Sequence, residues 1–423
     1  MSATPDISPR TMGRMLPLLP LIFVAVALKS NDALSVPQFW AEDATVFFKG
    51  QYGHAWPQLF VPYAGYLLFV PRLLAWLASI FSPTVAPLIY NFFAVAVSSA
   101  SIAFTASKLR HIVPLPLLLA SFLLVPTNGE VFGTLTNIQW FLQFVLAIGC
   151  FTSPVDTHGW RAWGRAIAMF ALALTGPFSI IVALTVAAML IASWADRRSG
   201  AGMFEGQLAK WGKQRDMYAI AATMAGAAMQ SFVLLTLLNP HTTTRPGLWS
   251  QLSICFLDLV PIHIFGFAFM LGAAWIVVYA CMLAGLIFGK NIRGEHRLLL
   301  LAMLMYAFAE AFSPMGLKDF AGMYQFNYGD RYFYLTKVVF WWATYTAFVA
   351  WGKTRPRDVA GGVYVAIALV ALLNPFRMER RDFANFMWQE HAREFDTPGS
   401  HVVPVNPVGW TVTIDTPVKD TAP

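Results

Sequence analysis

The stretch TGPFSIIVALTVAAMLIASW, Thr175 to Trp194, decides the fold class. From Phe178 to Trp194 it carries no charge, and a second apolar run, Ala166–Thr175, precedes it. Gly176-Pro177 separates the two, because proline has no N–H to donate and its ring clashes with the preceding turn. Arg161 and Arg165 lie before the pair, and Arg197 and Arg198 lie after it. The runs are short on each side of the break, but bases flank both outer ends, which predicts a helical hairpin that enters and leaves on one side of a membrane.

The same pattern extends in both directions. Of the 423 residues, 57% are hydrophobic and only 12% charged, with mean hydropathy +0.57. Water cannot solvate that much apolar surface at this length; lipid can. Further apolar runs lie at Met15–Leu28, Tyr66–Phe81, Pro87–Ser107, Ile112–Val125, Leu135–Phe151, Met217–Leu238, Ile264–Phe288, Leu298–Phe312, Tyr332–Trp351 and Val359–Leu373. Tyr66–Phe81 is short and contains Pro71 and Arg72, so it reads as an interfacial or re-entrant segment. Without it the runs give about eleven crossings. The reading is an all-α polytopic membrane protein with interfacial helices. Residues 1–373 form the bundle, and residues 374–423 form a short tail whose alternation around 402–414 predicts a small hairpin.

Charge orients the bundle. Bases cluster at Arg10 and Arg14, Lys108 and Arg110, Arg161 and Arg165, Arg197 and Arg198, Lys210 to Arg215, Lys290 to Arg297, and Lys353 to Arg357. Placing these inside puts the N-terminus in the cytoplasm and the C-terminal tail outside. The outer loops are then 30–65, 128–134, 239–263 (with an interfacial helix) and 313–331. A net charge of +7 therefore reads as topology signal and contact with anionic lipid, not as a nucleic-acid surface. The run Met15–Leu28 reads as an uncleaved first helix. Cys150, Cys255 and Cys281 lie in or beside apolar runs and form no CxxC. No GxxxxGK[ST], HExxH or GxSxG occurs, so nothing supports an ATP-driven pump, a zinc hydrolase or a serine hydrolase.

The polar residues that could carry chemistry collect in the expected outer loops. Trp40-Ala41-Glu42-Asp43 follows the first helix, and its adjacent carboxylates suit removal of a proton from a hydroxyl or the holding of a divalent cation. Pro62-Tyr63-Ala64-Gly65-Tyr66 comes next, with Arg72 able to grip a phosphate bidentately. Glu130, Asn137 and Gln139 offer groups for sugar hydroxyls. In Asp330-Arg331-Tyr332 an arginine and a tyrosine stand at a helix entry, with Asp330 placed to orient the arginine. Glu310 lies inside an apolar run and calls for a partner, with Lys318, Arg331 and Lys337 in range. Each feature also has a plain structural reading as a solvated pair, a snorkelling base or an aromatic belt.

These motifs resemble the polyprenyl-phosphate-sugar-dependent glycosyltransferases of the C-type fold, in an uncharacterised bacterial branch, over the chain up to about Leu373. That family carries a carboxylate in the first extracytoplasmic loop, where Glu42 and Asp43 stand. The large soluble C-terminal domain of some members has only a short tail in its place here. The resemblance implies inverting transfer of a sugar from a polyprenyl-phosphate carrier to a glycan or lipid acceptor, at the outer face of the bacterial inner membrane, in cell-envelope polysaccharide synthesis. It implies Asp43 or Glu42 as base, Asp43 being preferred, with a divalent cation optional on the pair. Arg72, Arg331, Lys318 and Lys337 would hold the lipid phosphate. Trp40, Tyr63, Tyr66, Glu130, Asn137, Gln139, Asp330 and Tyr332 would bind substrate. A flippase for lipid-linked saccharide and a non-catalytic assembly subunit are the alternatives.

Overall fold

The computed structural model describes residues 16–53, 56–127, 129–152, 159–200, 206–213, 215–237, 247–265, 272, 274–316, 323–324, 329–350, 361–366, 368–369 and 383–416. Its helices are α1 (Leu19–Lys29), α2 (Phe69–Ala78), α3 (Ala86–Leu109), α4 (Leu115–Leu123), α5 (Gln139–Phe151), α6 (Gly159–Ala173) and α7 (Phe178–Ser199). They continue with α8 (Gln207–Lys213), α9 (Met217–Leu237), α10 (Leu248–Phe265), α11 (Ala274–Phe288), α12 (Gly294–Phe312), α13 (Tyr334–Ala350) and α14 (Trp388–Arg393). Strands β1 (Gly399–Val405) and β2 (Trp410–Thr416) form an antiparallel hairpin in the tail.

Among the described residues, five helical segments are long and apolar enough to cross a membrane: Pro83–Leu109, Phe178–Ser199, Met217–Leu237, Leu248–Phe265 and Gly294–Met315. The 22 residues of α7 reach about 33 Å at helical rise, close to the hydrocarbon thickness. Leu184, Ile191, Phe232 and Leu235 stand exposed on α7 and α9, an apolar surface that suits lipid. The 10 residues of α2 reach only about 15 Å, half a bilayer.

The Gly-Pro break is a junction between distant parts of the chain. Opening the helix at Thr175 frees backbone groups, which pair with the start of α2. Phe69 N donates to the Leu174 carbonyl at 3.1 Å, and Gly176 N donates to the Leu67 carbonyl at 2.9 Å. Thr175 Oγ1 accepts from Val70 N at 3.1 Å. Gln230 of α9, wholly buried, closes the junction. Its amide donates to the carbonyls of Leu67 and Gly176, both at 3.0 Å, and its oxygen accepts from Leu67 N at 2.9 Å. These bonds give the groups freed at the break partners in a low-dielectric interior. Gly176 has φ +84°, and a Cβ there would come within 2.5 Å of Gln139 Oε1, so only glycine fits.

Two parts differ from the sequence expectation. Where an outer loop with an interfacial helix was expected at 239–263, α10 runs unbroken to Phe265, with a π-helical stretch at Ile254–Leu259. Its polar and aromatic contacts run to Phe308–Phe312 of α12 and to Asp330, at the ends of α12 and α13 away from the basic Arg293–Arg297 turn. The run Ile264–Phe288 is not one helix, since α10 ends at Phe265 and α11 begins at Ala274. Of the expected span Val359–Leu373, residues 361–366 and 368–369 are described and helical.

The tail folds back on the loop after α1. Trp388 Nε1 donates to the Pro83 carbonyl at 2.8 Å, and its ring meets Phe39 and Phe48 edge-on at 4.6 and 5.2 Å. Asn406 N donates to the Phe39 carbonyl at 3.1 Å, and Phe383 stacks on Trp40 at 5.3 Å. These contacts build a second apolar core that fixes the segment carrying Glu42 and Asp43.

Candidate functional site

Adjacent in sequence, Glu42 and Asp43 have opposite fates. A helical turn rotates successive side chains by about 100°, so neighbours face different surroundings. Asp43 is fully buried and turns toward Thr136–Ile138, the turn that opens α5. Its oxygens accept from Leu135 N at 2.9 Å, Thr136 N at 2.7 Å and Thr136 Oγ1 at 2.6 Å. It thus caps the free N–H groups at a helix start, where a negative charge also suits the dipole. Burial pushes its carboxyl up to about 7 against those three donors. Its three bonds commit Asp43 to the start of α5. Among the described residues no three His, Cys, Asp or Glu gather as metal ligands.

Glu42 is half-buried and faces Tyr63. One carboxylate oxygen accepts from the Tyr63 hydroxyl at 3.4 Å; the other is buried with no partner among the described residues. Tyr63 and Tyr66 are held by a tight reverse turn, with Tyr63 N to Tyr66 O at 2.8 Å and Tyr66 N to Tyr63 O at 3.1 Å. Ala64 and Gly65 between them have φ +53° and +86°, the double left-handed geometry of a type I′ turn. That turn brings Tyr66 near Gln139, Tyr332 and Arg331, and Tyr63 near Glu42 and Arg331.

Arg331 is placed by Glu130, not by Asp330. Glu130 Oε1 accepts from Arg331 N and Oε2 accepts from Arg331 Nη1, each at 3.4 Å. The guanidinium lies over the Tyr332 ring at 5.5 Å, and Tyr332 meets Trp140 edge-on at 5.5 Å. Burial works against the Arg331 charge, but Glu130, Tyr332 and Glu42 outweigh it and hold the guanidinium above its ordinary value. Burial lifts the Tyr66 hydroxyl to about 12, and it lifts Tyr63 as well, with Glu42 adding to it. Both phenols therefore stay protonated donors at neutral pH.

The other expected site residues are distributed as follows. Asn137 is buried and fully employed: its amide donates to Glu130 O at 2.7 Å and Thr134 Oγ1 at 2.9 Å, and its oxygen accepts from Trp140 Nε1 at 3.2 Å. It positions the Glu130 backbone and Trp140 rather than presenting itself to a ligand. Trp40 belongs to the contact with the tail. Asp330 and Lys337 bond each other in a wholly buried cluster with His263 Nδ1 (2.7 Å to Asp330) and the Pro126 carbonyl (2.7 Å from Lys337 Nζ). Burial would raise the Asp330 carboxyl, but Lys337 and His263 prevail and lower it to about 2. Lys337 has no exposed atom to offer a phosphate; it is a structural cation. Arg72 lies elsewhere, buried over the Phe47 ring at 5.4 Å and next to Tyr90, on the Asp43 side of the loop. Lys318 lies outside the described residues.

Glu42, Tyr63, Tyr66, Gln139, Arg331 and Tyr332 thus form one cluster, with Glu130 and Trp140 beside it. Trp140 is the member sequence reasoning passed over; its only signal is its position next to Gln139. Comparison with protein-family models, with curated proteins and with solved structures finds no match to this chain.

Proposed function

We propose that the chain is a membrane glycosyltransferase that moves a sugar from a polyprenyl-phosphate carrier to a hydroxyl of a glycan or lipid acceptor, with Glu42 as the base. The reading includes about eleven crossings of the bacterial inner membrane, a C-type arrangement and a hollow that opens outward. One observation carries it: Glu42 keeps one carboxylate oxygen without a partner among the described residues, in a cluster that also holds the Arg331 guanidinium and three tyrosines. The chemistry needs a proton acceptor and a fixed cation that share one cleft.

In the proposed reaction Glu42 takes the proton of the acceptor hydroxyl as its oxygen bonds to the anomeric carbon. The bond from that carbon to the carrier phosphate breaks on the opposite face, which inverts the configuration. Arg331, fixed by Glu130, meets the charge that develops on the leaving phosphate. Tyr63, Tyr66 and Tyr332 offer ring faces and hydroxyls to the sugar. Asp43 is a positioning residue: it locks Glu42 onto the start of α5, which carries Gln139 and Trp140.

Transport of a lipid-linked saccharide is the second reading, favoured by Glu310. Its carboxylate is 2% exposed within α12, and neither oxygen has a partner among the described residues. Intramembrane carboxyls of this kind mark transport paths.

The test is reconstitution in liposomes with a polyprenyl-phosphate sugar and candidate acceptors. Glu42→Gln is expected to lower turnover by about 10²–10⁴-fold. Glu310→Gln is expected to leave turnover intact. Movement of the lipid-linked sugar across the vesicle without turnover, abolished by Glu310→Gln and not by Glu42→Gln, would replace transfer with transport.

A further inference from the structure

A buried lysine joins the two segments that carry the Glu130–Arg331 pair. Lys337, wholly buried on α13, donates from Nζ to the Pro126 carbonyl at 2.7 Å and also to Asp330 Oδ1. Pro126 lies shortly before Glu130 in the chain, and Asp330 immediately precedes Arg331. One ammonium therefore bridges the two backbones whose side chains meet where Glu130 Oε2 accepts from Arg331 Nη1 at 3.4 Å. A second grip on Asp330 comes from α10, whose His263 Nδ1 shares the same Oδ1 at 2.7 Å. That imidazole is itself fixed: it stacks on Phe333 at 4.1 Å, and its Nε2 lies 3.0 Å from the Met323 carbonyl. On the other side, Asn137 of α5 donates to the Glu130 carbonyl at 2.7 Å.

Stability alone does not account for a buried ammonium and carboxylate. Both must leave water, and an apolar pair of the same volume often serves as well. What the ion pair adds is one fixed geometry, because each of its bonds is directional and none has water to replace it. An apolar side chain at 337 would fill the space but would not hold the Pro126 carbonyl at a set distance from Asp330. We infer that Lys337 is a positioning residue for Arg331. Through Pro126 and Asp330 it sets how Glu130 meets the guanidinium, and hence where that guanidinium stands beside Glu42. Lys337 itself touches no ligand in this scheme. Its effect on turnover rests on the proposed transfer, and its effect on the Glu130–Arg331 pair does not.

Thermal unfolding of the full chain in neutral detergent tests the pair without any substrate. Lys337→Met alone leaves a buried carboxylate short of a partner and risks misfolding, so Lys337→Met is combined with Asp330→Asn, which removes both charges. Arg331→Gln is then made in the wild type and in this neutral background. If Lys337 positions Arg331, Arg331→Gln lowers Tm less in the neutral background than in the wild type, because the contact with Glu130 is already loosened there. An equal loss in both backgrounds overturns the positioning role. A larger loss in the neutral background does so too, since it is the sign expected of two cations that merely repel. The kinetic arm uses liposomes with a polyprenyl-phosphate sugar and an acceptor. The neutral pair is expected to lower kcat about 10–100-fold, and the triple variant to be no slower than Arg331→Gln alone. Losses that multiply in the triple variant would make Lys337 a structural residue only and overturn its action through Arg331. A wild type without turnover would count against the transfer reading, and the Tm comparison would still decide whether Lys337 positions Arg331.

Discussion

At Asp43 and Glu42 one peptide bond separates a cap from a candidate base. Asp43→Asn keeps a carbonyl oxygen but turns an NH₂ toward backbone donors, so a loss of about 1–3 kcal/mol is expected, read by thermal unfolding in detergent. Glu42→Gln should leave stability nearly unchanged, because Glu42 makes one long hydrogen bond and leaves its other oxygen unused. Two buried acids also predict opposite pH effects on stability. Asp43 holds its proton to about 7 in the folded chain against 3.8 ordinarily. The folded state therefore binds the proton first, and stability should rise as pH falls from about 7 toward 4. Asp330 is lowered to about 2 from 3.8 by Lys337 and His263. Its stabilisation is complete above about pH 4 and is lost as pH falls through 2. A Tm-against-pH series should show the first slope in the wild type and a flatter one in Asp43→Asn; an unchanged slope would remove Asp43 as its source.

Among the elements, the broken α6–α7 hairpin matters more than any single span. Its Gly-Pro break gives α2 backbone partners, and Gln230 ties both strands of that junction. Gln230→Leu would orphan the Leu67 N–H and the Gly176 carbonyl and leave the Leu67 carbonyl only its bond from Gly176 N, and a loss of about 2 kcal/mol or more is expected in the same unfolding assay. Gly176→Ala is expected to act differently. Its Cβ would press on Gln139 Oε1 and the Phe178 ring, shifting Gln139 against Tyr66, so substrate KM should rise along with any loss of stability. Gly65→Val would force a β-branched residue into φ +86°, with a cost of about 1–2 kcal/mol and a misplaced Tyr63 and Tyr66.

Over the whole molecule, the tail and the loop after α1 form one unit through Trp388, Phe39, Phe48 and Phe395. They must therefore share one side of the membrane. In a background lacking Cys150, Cys255 and Cys281, a cysteine at exposed Ser400 should react with an impermeant maleimide from the periplasm, and one at Ser199 should not. The reverse pattern would invert the proposed orientation. Trp388→Ala removes the central ring of this core, with an expected loss of about 3–5 kcal/mol.

Composition and the spacing of bases around apolar runs were enough for the membrane class and for a break at Gly176-Pro177, because solvation by lipid and the missing proline N–H act locally on the sequence. Sequence could not tell Glu42 from Asp43, since both are carboxylates and only the docking of Thr136 against one of them saturates it. Nor could it separate Arg72 from Arg331, or foresee that Lys337 and Asp330 neutralise each other in the interior. Each of those outcomes depends on groups brought together from distant parts of the chain, and burial, which sets what a charge can do, is a property of the packed bundle.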